Sequence, residues 1–273
     1  MQPPRRSSKG VARCVPLAAF LGLSFAGIGS ASAVEDIPEP DLTADAHLPP
    51  AGPVNVLPDA TSAGVSSDRV TATTWAGYDG AKHAPLVIGT VEARIIGRVV
   101  LVAGAGYTAE LPGSPVFRPQ IGLRAQLLDQ AKHGVDGGVA VMYRQDLFAN
   151  EDGFIQGTVA LERRQGPVRL VANLLYGQDG EGDDRDGEAR VATLYEARRG
   201  LLVGVDARYR HDLWSSDPNR VVRSRPEYEL AAGPTASYTY RSWAVMAETG
   251  LSAVRTTTTQ TGVIALAGLA SSF

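Results

Sequence analysis

The chain contains a single cysteine, Cys14, among 273 residues. One thiol cannot form an intrachain disulfide, a cysteine zinc site or a paired-thiol redox centre. Histidine is nearly as scarce, with His47, His83, His133 and His211 the four present. None has zinc-site spacing, and no serine sits in a nucleophile elbow. Long apolar runs are missing too: beyond residue 33 nothing approaches the roughly 18 apolar residues of a membrane-spanning helix. A bilayer could then be crossed only by strands closed into a barrel. A basic excess is also lacking, which argues against nucleic acid as a partner. Gly104 and Gly106 sit in a strand pattern with no helix after them, so they imply a bend in a strand and no dinucleotide cofactor.

What is present begins with a secretion signal. Arg5, Arg6, Lys9 and Arg13 make a basic start, Val15 to Ile28 an apolar stretch, and Ala31-Ser32-Ala33 a small-residue cleavage site. Residues 1–33 are therefore expected to be removed. The formal charge of −3 then falls, by those four basic residues and no acidic one, to −7. Residues 34–67 carry Glu35, Asp36, Pro38, Glu39, Pro40, Asp41, Pro49, Pro50, Pro53 and Pro58 with little periodicity. Such composition predicts a disordered or extended periplasmic tether.

From Asp68 onward the pattern alternates with period two, which predicts strands. Twelve are expected: 69–78, 86–95, 98–108, 118–128, 137–146, 154–164, 167–177, 188–198, 201–210, 227–240, 243–254 and 261–273. Most have about the ten residues that cross a bilayer when tilted. The joins alternate in length. Short ones fall at Ile96-Gly97, Gln165-Gly166, Arg199-Gly200 and Arg241-Ser242, and longer polar ones at 109–117, 147–153, 178–187 and 211–226. The join at 129–136 is longer than its place in this rhythm predicts.

One face of each strand is apolar, as in Val191, Tyr195, Val203, Val205 and Tyr209, and the other charged, as in Arg190, Glu196, Asp206, Arg208 and Arg210. Aromatic residues sort to the two ends of the apolar face. Tyr78, Tyr107, Tyr143, Tyr176, Tyr209 and Tyr228 lie towards the long joins, and Tyr195, Tyr238, Tyr240, Trp243 and Phe273 towards the short ones. A ring with an apolar body and a polar edge suits a membrane interface, and a soluble sandwich gives no reason for such sorting.

The last stretch, Thr261 to Phe273, places Val263, Ala265, Ala267, Leu269 and Phe273 on one face and ends on an aromatic residue. It resembles the closing strand of Gram-negative outer-membrane β-barrel proteins of porin type, although Ser271 departs from the apolar residue usual two before the end. The resemblance implies an all-β fold, an up-and-down antiparallel transmembrane barrel of about twelve strands over 68–273. It also implies placement in the outer membrane with both termini periplasmic, contact with outer-membrane lipids, and Phe273 as a signal to the barrel-assembly machinery.

In such a barrel the charged face lines the lumen: Glu92, Arg94, Arg124, Arg144, Asp146, Glu162, Arg164, Arg169, Arg190, Glu196, Arg198, Asp206, Arg208, Arg210, Glu229 and Glu248. Arginines outnumber carboxylates, so a narrow porin-like channel for small hydrophilic, anionic solutes is the expectation, with no catalytic, cofactor or metal residues. The same charges could instead pair across strands and fill the lumen. Two other functions stay open. One is a structural or adhesive barrel whose external loops bind a partner; the other is a lipid-active enzyme, for which His211, Asp212 and Ser215 are the only suggestive company. The acidic loop from Asp179 to Glu188 lacks the EF-hand register and reads as a solvated tip more than a calcium site.

Overall fold

In the computed structural model the described residues are 60–66, 68–109, 111–145, 153–180, 184–215 and 226–273. They all fall within one compact unit. The expected signal peptide and most of the expected tether lie outside them.

Twelve strands follow one another: β1 (Val70–Asp79), β2 (Ala84–Ile96), β3 (Val99–Ala109), β4 (Pro115–Leu128), β5 (Asp136–Arg144), β6 (Phe154–Gln165), β7 (Val168–Asp179), β8 (Asp184–Arg198), β9 (Leu201–Ser215), β10 (Tyr228–Tyr240), β11 (Trp243–Arg255) and β12 (Thr259–Ser272). Each pairs antiparallel with its neighbours in sequence, and β1 pairs with β12, so the sheet is a closed barrel. Closure leaves no edge strand, and every ladder is satisfied within the wall.

The two ends differ. At one, two-residue turns join the strands at Gly97-Arg98, Gly166-Pro167, Arg199-Gly200 and Arg241-Ser242. Gly97, Gly166, Gly200 and Arg241 there have positive φ, which tight hairpins between twisted strands require. The fifth join carries a short helix, α1 (Gln130–His133), capped by Asp129 and ended by Gly134 in the left-handed conformation. This helix explains the long join at 129–136. We call this end the turn end and the opposite one the loop end. The strands exceed their expected bounds most at β8 and β9, which run to Asp184 and Ser215.

Outward positions are apolar and exposed all round the wall, for example Val91, Leu123, Val141, Val159, Leu174, Val191, Val205, Leu251 and Val263. Exposed tyrosines Tyr78, Tyr107, Tyr143, Tyr176 and Tyr209 ring the loop end, and Tyr195, Tyr238, Trp243 and Phe273 the turn end. An exposed apolar belt of this extent would be a liability in water and is what a lipid-facing wall needs.

Two features inside the barrel differ from the sequence expectation. The expected tether ends in residues 60–66, which lie buried within the barrel apart from half-buried Thr61. Ala60, Ala63 and Gly64 are small enough to fit there, and Val65 packs on Val100 and Val102 of β3. Composition alone reads such a stretch as disordered because it cannot supply a core of its own; here the barrel supplies the core. Second, part of the inner wall is apolar. Trp75, Leu86, Met246, Ile264 and Leu266, from β1, β2, β11 and β12, form one buried cluster.

Candidate functional site: the barrel interior

Period-two geometry turns alternate side chains inward. At the turn end Glu162 of β6 is buried, with Oε1 2.8 Å from Arg169 Nε and 3.0 Å from Arg164 Nε. Arg124 of β4 pairs with Glu92 of β2. Both groups also hold the inserted segment. Ser62 Oγ donates to Glu162 Oε2 at 2.6 Å. Arg124 Nη1 donates to the carbonyls of Ser62 and Gly64 at 3.0 and 2.6 Å. Asn173 of β7 clasps Thr61 both ways, accepting from its N–H at 2.7 Å and donating to its carbonyl at 2.8 Å.

At the loop end the join after β1 folds inward instead of outward. Ala81 and Lys82 are buried there. Asp79 accepts from Ala81 N–H and from Ser252 Oγ, and Lys82 Nζ lies 2.8 Å from Glu229 Oε2 of β10. A chain of opposite charges continues along the wall: Arg210 of β9 reaches Asp186 of β8 at 2.5 Å and Glu229 at 3.6 Å, and Arg190 reaches Glu188 at 2.8 Å. Asp206 of β9 and Glu248 of β11 are buried as well.

The sequence-derived lumen residues therefore fall into groups. Glu92, Arg94, Arg124, Arg144, Glu162, Arg169, Arg190, Asp206, Arg208, Arg210, Glu229 and Glu248 are buried or half-buried, on inward positions. Arg164 is exposed at the turn end. Glu196 and Arg198 are exposed at the rim, where a bulge shifts the register; Glu196 accepts from Gly200 N–H, and Arg198 lies over the ring of Tyr238 on the outer side. Asp146 lies outside the described residues. Asp79, Lys82 and Asp186 join the interior without having been expected there, and Glu188, which opens the expected strand 188–198 on its charged face, joins them. The acidic stretch is the clearest correction: Asp186 and Glu188 are buried in β8 and ion-paired, not part of a solvated tip. Parity could have found Asp186 too, since it shares the phase of Glu188 and Arg190.

Burial sorts these charges by sign. Side chains below about a tenth exposed include the carboxylates Asp79, Glu162, Asp186, Glu188, Asp206, Glu229 and Glu248 but only the cations Lys82, Arg124 and Arg169. Arg94, Arg144, Arg190, Arg208 and Arg210 are half-buried. Glu92 is half-buried as well, so arginine predominates among the half-buried members of the sequence-derived set.

Of the suggestive histidine company, His211 and Asp212 do not converge, and the side chain of Ser215 lies outside the described residues. His211 and Asp212 are consecutive in β9 and so point to opposite faces. His211 stacks on Tyr209 of the outer girdle, 6.1 Å between ring centroids. Among the described residues no group of three metal-ligating side chains converges.

No protein-family model matches the chain, and no curated protein sequence matches it either. Solved structures do resemble it. The NanC porin superposes with a TM-score of 0.52 at 10% identity, over 74% of this chain and 100% of that one. An outer membrane channel from Pseudomonas putida F1 superposes with a TM-score of 0.50 at 11% identity, over 82% of this chain and 100% of that one. At such identities the likeness establishes a shared fold, the antiparallel barrel of outer-membrane channels.

Proposed function

We infer that the protein is an outer-membrane barrel forming a narrow porin-like passage for small hydrophilic solutes, with a preference for anions. The observation that carries this reading is the division of surfaces. The outer wall is an exposed apolar belt between two aromatic girdles, while the inner wall carries ion-paired charge whose half-buried members are mainly arginines. Fixed charge of one sign along a low-dielectric passage raises the local concentration of the opposite ion. By this reading lipids contact the belt, and the alternation of short turns and long joins puts both termini on the periplasmic side. Phe273 would serve as the signal read by the assembly machinery.

The test is the current carried by the purified protein in planar bilayers under a potassium chloride gradient. A reversal potential displaced towards chloride is expected, and replacing Arg190 and Arg208 with glutamine should move it towards zero. A reversal potential on the potassium side in the unmodified protein would overturn the preference, and no current from any variant would overturn the passage.

A further inference from the structure

We propose that residues 60–66 are a displaceable gate: a strap lodged across the turn-end half of the bore that closes the passage when seated and opens it on withdrawal. The proposal rests on the passage reading above.

The strap spans the interior. At one side Ala60 packs against Val171, Ala192 and Leu194 of β7 and β8. Ser62 and Gly64 are held by Glu162 and Arg124. Val65 ends against β3 after its N–H donates to Gln126 Oε1 at 3.4 Å. A peptide laid from β7 and β8 across to β3 occupies space that a solute would need.

Its attachment is of a reversible kind. The strap forms no ladder with the wall, and the barrel seam from β12 through β1 to β2 is complete without it. Only Val65 among its residues has a sizeable apolar side chain, so little apolar area holds it in place. The wall groups that grip it each keep another partner. Glu162 keeps Arg169 and Arg164, Arg124 keeps Glu92, Gln126 keeps Asp136 and the Leu128 carbonyl, and Asn173 keeps the Ala172 carbonyl. Withdrawal therefore leaves each side chain one partner, and the freed atoms, Gln126 Oε1, Asn173 Oδ1 and Arg124 Nη1, are met by the water that fills the opened bore, so the contact can let go without a stranded buried group. The inward apolar cluster around Trp75 has no such freedom, because its residues belong to the wall strands themselves.

Cysteine pairing tests the gate directly. A β-carbon at position 138 would lie 3.0 Å from the Ala63 carbonyl oxygen and 3.6 Å from its Cα, so the two positions adjoin and cysteines there are candidates for cross-linking. In planar bilayers with potassium chloride, the oxidised Ala63→Cys/Gly138→Cys protein should hold the closed level, and reduction should restore openings. Because Gly138 is tightly packed, two further variants carry the same test. Deleting 60–66 should remove the closed level. Asn173→Ala, which loses two bonds to the strap, should raise the ratio of open to closed dwell times about fivefold to thirtyfold. Heat-modifiable migration confirms that each variant is folded. An oxidised pair that conducts as before, or a folded deletion with unchanged closures, overturns the gate while leaving the passage intact. Silence from every variant, the deletion included, overturns the passage itself.

Discussion

Leu174 provides the sharpest test of which surface meets lipid. It is the seventh of twelve residues in β7 and is 67% exposed on the outer wall. In water an exposed leucine changed to arginine alters stability within about 0.5 kcal/mol. At the midplane of a bilayer the same change costs about 2–4 kcal/mol, falling to about 0–1 near the interfaces. Leu170, the third residue of the same strand and 46% exposed, supplies the graded control towards the turn end. The assay is reversible unfolding from phospholipid vesicles in guanidinium chloride, followed by tryptophan emission and by heat-modifiable migration. Leu174→Arg should lower the unfolding free energy by about 2–4 kcal/mol and Leu170→Arg by no more than about 1 kcal/mol. Equal and negligible effects at both positions would refute the lipid-facing belt, since no aqueous reading separates two exposed leucines of one strand.

Other outcomes follow from packing and charge. Glu162→Ala removes the carboxylate beside buried Arg169 and should cost about 3–5 kcal/mol in the same unfolding assay, the penalty for leaving a buried charge without its partner. Gly204→Ala should destabilise the barrel, because its β-carbon would sit 2.0 Å from the Thr193 carbonyl oxygen; Gly157→Ala, whose nearest neighbour is 4.0 Å away, should be tolerated. At the turn-end join, hydrogen bonds from Arg98 and from the Ala131 N–H hold the Asp129 carboxyl below its ordinary value of 3.8. Its contribution to stability is then present above pH 3.8 and is lost as pH falls through the lower folded value. Wild type should accordingly exceed Asp129→Ala at pH 6 by more than at pH 2, as melting curves at the two pH values will show.

Most of the wall was legible in the sequence because one physical rule, alternation between lipid and interior, repeats in every strand. The strand count, order and closure of Thr259–Ser272 against Val70–Asp79 all follow from it. The interior was less legible. Trp75 shares the phase of Thr71 and Thr73 and therefore points inward, but hydropathy alone assigns a tryptophan to the apolar outer face. Lys82 sits in a join, where nothing local announces that the chain folds back into the mouth to meet Glu229, 147 residues away. The strap was hidden for a similar reason. Its partners Glu162, Asn173 and Arg124 lie far along the chain, and a segment without periodicity carries no register by which they could be matched.

The seam between the first and last strands also has a consequence for time. Val70 donates to the carbonyl of Phe273 and accepts from its N–H, and Arg69 donates to the same carbonyl. The open side of β1 is thus covered only when β12, far along the chain, reaches it. Until then that side presents an unsatisfied template on which another chain could add. The residues just ahead of it, 60–66, must be inside before the circle is sealed or pass in through an end afterwards. The order in which the strap enters and the seam closes therefore matters as much as the final contacts for a barrel completed with its strap enclosed.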